Sequence, residues 1–217
     1  MSESPSNPYF AAVAEHWDEI RTEYFTEHMR DAAIAKAQLP ANAIVADVGT
    51  GTGFVALGLA PHAARVYGFD ASPAMLAVAR RNLAAFDNVE LREAAGDQLP
   101  VPDNQFDGVF ANMYLHHAPD PAGAIKELAR VLRSPDAATG KPGGVLCITD
   151  LDTHNHKWQR EQMADLWLGF ERDDIRRWFA EAGLKEIEVD GAEGACSARG
   201  PDGTVEPLSI FVAIGRK

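Results

Sequence analysis

Two rhythms alternate along this chain. Short apolar runs stop at glycine or aspartate, and between them lie stretches in which apolar residues return every three to four positions. The runs read as buried strands and the stretches as helices packed upon them. Helical patterning covers residues 9–38, enough for two helices, and Pro40 closes it. A strand is predicted over 43–48, a helix opening straight after the glycines at 54–60, and a second strand over 65–70. Ser72 and Pro73 are a good N-cap and first helical residue for a helix reaching residue 86. Strands over 89–92 and 106–111, a helix over 121–132 and a strand over 144–149 come next. Residues 158–183 read as helical with a break near Gly169, and strands over 184–189 and 208–214 end the pattern.

Alternation of strand and helix predicts an α/β fold, a doubly wound seven-stranded sheet that is mostly parallel, with helices on both faces. The last two strands follow each other without a helix. They are therefore expected to pair antiparallel across the connection 191–207, giving an antiparallel last strand. Residues 1–40 read as an arm and N-terminal helical lid, and 41–217 as one structural unit. There is no internal repeat and no low-complexity tract.

Composition narrows the partners. The 217 residues are 46% hydrophobic and 24% charged, with a net charge of −12. So acidic a surface repels phosphate backbones and anionic headgroups, which argues against nucleic acid. No run approaches the ~18 apolar residues of a membrane span, so no membrane insertion is expected. Cys147 sits in the run Val145-Leu146-Cys147-Ile148 and reads as a buried thiol, whereas Cys196 lies in a Gly/Ala/Ser-rich stretch and reads as accessible. Two unpatterned cysteines and a polar N-terminus point to a cytoplasmic protein.

The chemistry concentrates at Asp47-Val48-Gly49-Thr50-Gly51-Thr52-Gly53. Glycines between a strand and a helix let the backbone turn sharply and let a ligand approach without meeting a Cβ. By itself this is as compatible with a plain structural turn. Asp70 ends the next strand about twenty residues later, where an acid can accept hydrogen bonds from both ribose hydroxyls of an adenosine. Glycines and acid together make a nucleoside site. A dinucleotide fingerprint would place its third glycine at position 54, which is Phe54, and no phosphate-gripping G-x-x-x-x-G-K is present. A ligand without phosphates fits better.

These residues, followed by Gly68-Phe69-Asp70-Ala71-Ser72-Pro73-Ala74-Met75-Leu76, resemble the first two motifs of class I S-adenosylmethionine-dependent methyltransferases, in the branch containing the ubiquinone and menaquinone biosynthesis enzymes. Gly96-Asp97-Gln98-Leu99-Pro100 resembles the adenine-binding motif, and 106–112 with Leu115-His116-His117 the fourth-strand motif. Arg130-Val131-Leu132 and 142–146 resemble the helix and strand that follow. The likeness is strong over residues 44–150 and in outline elsewhere. It departs at 134–141, which looks like a loop insertion before the fifth strand and involves no cofactor residue. The resemblance implies a Rossmann-like fold and S-adenosyl-L-methionine as cofactor. It implies that the backbone around Gly49, Thr50, Gly51 and Gly53 holds the methionine end, with Asp47 beneath it. Asp70 would hold the ribose, with Ala71 and Met75 beside it. Asp97 would accept from the adenine amino group, next to Gln98, and Asn112 would lie near the methionine portion.

Ligands of open α/β sheets bind outside the carboxyl ends of the strands, where 112–120, 150–158 and 191–207 face one another. Methyl transfer to a small-molecule acceptor mainly requires alignment, and a base only where the acceptor loses a proton. His116, His117, His154 and Asp150 are the candidates, each more readily a structural or surface residue than a base. Tyr9, Phe10, Trp17, Tyr24 and Phe25 read first as packing and second as an aromatic lid. No metal is expected, although Asp152-x-His154-x-His156 with Cys196 has ligand-type side chains. A non-catalytic S-adenosylmethionine-binding module would carry the same motifs, and a nicotinamide dehydrogenase with unusual glycine spacing is a third reading.

Overall fold

The structure, a computed structural model, describes residues 7–22, 24–192, 196–200 and 203–217. Three helices precede the first strand: α1 (Asn7–Val13), α2 (Trp17–Arg21) and α3 (Glu27–Ala37), with one 3-10 turn over Ala14–His16. There are thus more pieces than the two expected, because Thr26 adopts an extended conformation that interrupts the helical path. Then come β1 (Ile44–Val48), α4 (Phe54–Leu59), β2 (Arg65–Asp70), α5 (Pro73–Asn82), β3 (Val89–Glu93), β4 (Gly108–Asn112), α6 (Pro121–Val131) and β5 (Val145–Leu151), in the predicted order. The Ser72 cap is the one expected from sequence, and the structure adds a second of the same kind at Asp120. Ser72 accepts from the Met75 N–H ahead of Pro73, and Asp120 accepts from the Gly123 N–H ahead of Pro121.

Past β5 the pattern is less regular. Only α7 (Gln159–Gln162) and α8 (Arg172–Glu181) are α-helical within the stretch expected to be a helix pair over 158–183. Residues 163–171 spend their backbone hydrogen bonds elsewhere. The Leu166 and Trp167 N–H groups donate to the His116 carbonyl at 2.9 and 3.1 Å, and Phe170 donates to Leu151 at 2.9 Å. Gly169 has φ +73°, and a Cβ there would stand 2.2 Å from the Asp152 carbonyl oxygen. β6 (Lys185–Gly191), β7 (Cys196–Arg199), β8 (Val205–Leu208) and β9 (Ile210–Arg216) complete the chain. The two-stranded β7–β8 ribbon occupies the connection expected between the last two strands and reaches Leu208, the first residue of the predicted last strand.

The main sheet has seven strands in the order β3-β2-β1-β4-β5-β9-β6. β9 runs antiparallel between β5 and β6, and the other pairings are parallel, as predicted. Neighbouring residues of β5 serve opposite faces. Val145 and Cys147 pack with α3 and α4, whereas Leu146 and Ile148 pack with α6 and α8. Because both faces of β5 are covered, the strand is buried along its whole length, Thr149 and Asp150 included. The Cys147 thiol is buried as expected, and burial pushes it up to about 12. The Cys196 side chain lies outside the described residues. No helix among the described residues is long and apolar enough to cross a membrane. Strand order reverses between β1 and β4, and the cavity described next opens at the carboxyl ends of those strands.

Candidate functional site

The glycine turn is tied down from below. Asp47, 1% exposed, accepts from the Thr50 hydroxyl at 2.6 Å and from the Ala56 N–H at 2.9 Å. Gly49 and Thr50 donate to the Phe69 carbonyl at 2.8 and 2.9 Å, which anchors the turn to the end of β2. Gly49, Gly51 and Gly53 all have positive φ, at +70°, +55° and +92°. The reasons for glycine differ. A Cβ on Gly49 would stand 2.8 Å from the Tyr114 ring, and one on Gly53 would stand 2.7 Å from Leu83. At Gly51 the nearest atom would be Trp17 Nε1, at 3.8 Å. The space over Gly51 is therefore open cavity.

Asp70 faces that space. Its Oδ2 accepts from the Gly51 N–H at 2.8 Å and its Oδ1 from the Ser72 N–H at 2.8 Å. A carboxylate has about four acceptor positions, and with the Ala71 N–H also directed at it about one remains for a ligand's hydroxyl. Burial raises the Asp70 carboxyl above the ordinary range, opposed by N–H donors of Ser72, Gly51 and Ala71. Burial pushes Asp47 up to about 7, with hydrogen bonds from Thr50 and Ala56 opposing and the Asp70 charge adding to the rise.

Of the residues singled out from sequence, Asp47, Gly49, Thr50, Gly51, Asp70, Ala71, Met75, Asp97, Asn112 and His117 line one cavity. Gly53 and Gln98 do not line it. Gly53 is pressed against α5 and Gln98 is exposed. Asn112 is held by the Thr149 hydroxyl at 2.6 Å. Phe10, Trp17 and Phe25 of the N-terminal segment form part of the same wall, with Phe10 edge-on to His117 at 4.8 Å between ring centroids. Tyr114 went unassigned in the donor site, yet it packs over both Gly49 and Gly96, where a Cβ would meet its ring or hydroxyl. The signal for it was Gly96, a glycine in a turn that does not need a positive φ. Burial raises the Tyr114 hydroxyl, and the Asp97 and Asp70 charges add to that.

The histidines separate. His116 is buried behind the wall, with Nδ1 on Asp150 at 2.7 Å and Nε2 3.8 Å from Asp165. Burial works against its charged form, but the Asp150 charge and hydrogen bond, helped by Asp165, leave it raised. His117 is driven well below its usual value by burial and by the neighbouring His116 charge, with the Ala164 carbonyl opposing. Nδ1 of His117 lies 3.2 Å from that carbonyl, which only accepts, so Nδ1 carries the proton and Nε2 is the basic nitrogen. His154 lines a different cleft, with Asp152 and Arg172. Burial, then the His156 and His116 charges, bring it down to about 4.

Ligand-type atoms of His116, His117 and Asp165 fall within 4.8 Å of one another, the one such group found among the described residues. Asp152 is instead committed to Arg172 by two contacts of 2.7 Å, and His156 pairs with Glu206. The sequence-based grouping of 152, 154 and 156 is therefore not assembled as a ligand set.

Comparison with known proteins places the chain. Residues 46–148 match the family model described as "Methyltransferase domain". The rice 2-methyl-6-phytyl-1,4-hydroquinone methyltransferase 1, a chloroplastic protein, is 33% identical over 174 residues, covering 78% of this chain and 50% of that protein. A demethylmenaquinone methyltransferase of Tropheryma whipplei is 37% identical over 123 residues, 57% of this chain and 48% of that one. The chain thus spans about half the length of the curated relatives it matches. The crystal structure of the Bacillus subtilis YcgJ protein superposes with a TM-score of 0.73 at 19% identity, covering 88% of this chain and 99% of that one, which shows a shared fold. The resemblance drawn from the motifs is met: residues 46–148 match the methyltransferase domain model.

Proposed function

We propose that this chain binds S-adenosyl-L-methionine in the cavity between β1 and β4 and transfers its methyl group to a small-molecule acceptor of the quinone or hydroquinone type. The observation that carries this is the pairing of Asp70 with the Gly51 N–H beside an open glycine surface, with Asp97 on the opposite wall. An acid at the tip of β2 suits ribose hydroxyls, and a second acid beyond β3 suits an adenine amino group. The bare backbone at Gly49 to Gly51 suits an amino-acid tail, with Asp47 beneath to match its ammonium. Met75, 1% exposed, packs at the ribose and adenine side. When bound, the donor supplies a methyl group on a positively charged sulfur that an acceptor atom displaces in line.

The chain's task is then alignment and exclusion of water. Phe10 and Trp17 close the cavity with apolar rings, so residues 1–40 serve as its cover and 41–217 as the binding unit. His117 has its basic nitrogen in neutral form and stands at the wall, where it can accept a proton from an acceptor hydroxyl. His116 orders the segment behind it, and His154 has no place in this wall. The acceptor class rests on the names of the hydroquinone and menaquinone relatives. The acidic surface disfavours nucleic acid, and the buried, unpaired Cys147 suits the cytoplasm.

Calorimetry with S-adenosylhomocysteine tests the donor, with Asp70→Asn as its control. We expect micromolar-range heat that the variant weakens at least about tenfold, the worth of a lost hydrogen bond to a charged group. Labelled-methyl transfer to a panel of hydroquinones tests the acceptor. No heat with the wild type overturns the donor assignment, and heat without transfer overturns the acceptor class.

A further inference from the structure

Behind the cavity wall, two buried carboxylates share one imidazole. Asp150 is 0% exposed and Asp165 5%. Both face His116, Asp150 across Nδ1 at 2.7 Å and Asp165 across Nε2 at 3.8 Å, the second beyond hydrogen-bond distance. Among the described residues no lysine or arginine forms an ion pair with either acid. One imidazolium cannot balance two buried carboxylates, and buried charge without a full partner is costly.

His117 completes the set. Its ligand-type atom and those of His116 and Asp165 all lie within 4.8 Å of one another. In both rings Nδ1 is committed, to the Asp150 carboxylate in His116 and to the Ala164 carbonyl in His117. Metal-binding imidazoles are held in this way: one nitrogen donates to an oxygen, which fixes the ring and makes the other nitrogen the ligand. The third ligand is aimed by strain. Ala164 has φ +58°, a region that alanine rarely adopts. It sets its own carbonyl on His117 and the next side chain, Asp165, on His116. Leu166 and Trp167 donate to the His116 carbonyl, which ties the strained turn to the histidines. A tetrahedral ion with bonds of about 2.0–2.2 Å sets its ligand atoms about 3.4 Å apart, so the 3.8 Å pair is nearly in place and the widest gap closes by about 1.4 Å at most.

We infer that His116, His117 and Asp165 form a binding site for a divalent cation of the zinc type, and that the filled site stops methyl transfer. Two imidazoles and one carboxylate suit zinc better than magnesium, which takes oxygen ligands. The ion replaces the proton on any ligating nitrogen that carries one, and that proton leaves to solvent. Its two positive charges match the carboxylates of Asp150 and Asp165. One lone pair of His117 cannot both hold a metal and accept a proton, so a filled site removes the base proposed above. The inhibition rests on that proposal, and the site itself does not. The donor's turn is fastened separately: Asp18 of α2 accepts from the Thr52 hydroxyl at 2.7 Å and, through its other oxygen, from Asn82 Nδ2 at 2.9 Å. Donor affinity should therefore be indifferent to the ion.

The test titrates chelator-treated protein with zinc by calorimetry and with cobalt by visible absorption. One zinc per chain should bind at micromolar concentration or below, cobalt should give the bands of a tetrahedral centre, and magnesium should give no heat. Asp165→Asn should weaken zinc at least about tenfold. Asp152→Asn, whose acid belongs to Arg172, should leave zinc affinity unchanged. One equivalent of zinc should halt labelled-methyl transfer to a hydroquinone, a chelator should restore it, and S-adenosylhomocysteine affinity should stay the same. Zinc binding that is absent, or unaltered in Asp165→Asn, overturns the site. Should Asp165→Asn not fold, His117→Gln takes its place with the same expected loss. Zinc bound at these residues without inhibition overturns the blocking role. A chain that transfers no methyl group even without zinc refutes the acceptor reading instead, and the metal titration alone then decides the site.

Discussion

Asp150 and His116 are joined at 2.7 Å in the interior, and the same carboxylate also accepts from the Leu115 and Leu151 N–H groups at 2.8 Å each. One acid at the end of β5 thereby sets the path of the segment after β4. Asp150→Ala removes the counter-charge of a buried imidazole and leaves two N–H donors unmet, which should cost about 3–5 kcal/mol. The sign with pH follows from His116, which is raised in the folded chain. Its contribution is complete below the ordinary histidine value near 6.5 and fades as pH climbs through the raised one. Urea unfolding across pH 5.5–8.5 should show a fall in stability with pH that is smaller in His116→Gln than in the wild type by this share.

Gly51→Ala separates binding from folding. Its φ of +55° makes alanine strained, by roughly 1–2 kcal/mol, but nothing approaches the new Cβ closer than 3.8 Å. The melting temperature should fall by about 2–8 °C. S-adenosylhomocysteine affinity should fall far more, by about a hundredfold, because the methyl occupies the ligand's space. Gly53→Ala, whose Cβ meets Leu83 at 2.7 Å, should show the reverse balance.

Asp47 makes the unliganded chain pH-sensitive. Burial raises its carboxyl to about 7, so the charged form is disfavoured in the folded state. Stability is greatest below the unfolded carboxylate value near 4 and declines as pH rises towards 7, by about 1.4 kcal/mol per unit of separation at most. Asp47→Asn keeps an acceptor for Thr50 and Ala56 and removes that decline. Its melting temperature should exceed wild type at pH 8 and match it at pH 4, while donor affinity falls.

His117→Ala addresses the base. If the imidazole takes a proton from the acceptor, kcat with a hydroquinone should drop by roughly 10²–10⁴ while KM for the donor changes little. Because His117 is depressed far below 6.5, wild-type kcat should show no histidine limb between pH 6 and 8. An unaltered kcat in the variant removes His117 from the chemistry.

Local chemistry made much of this legible in the sequence. Ser72-Pro73 announces a helix start, and Asp47 to Gly53 together with Asp70 mark the turn and its acid from one strand–helix–strand unit. What escaped depends on distant partners. Residues 163–171 carry a helical rhythm, but their N–H groups belong to His116 and Leu151, which no periodicity reveals. The β7–β8 ribbon includes Pro207, opposite Ser197, a residue that ordinarily argues against a strand. Tyr114 over Gly96 and Arg21 over Phe54 are contacts between elements that only the folded sheet brings together.

The bonds from Asp18 to Thr52 and Asn82 carry a kinetic corollary. With α2 latched to the turn proposed to hold the donor, a donor entering that turn would firm the proposed cover over the acceptor. Whatever tightens the first partner tightens the second by the same factor, and the reaction should run with compulsory order, methyl donor first and spent donor last.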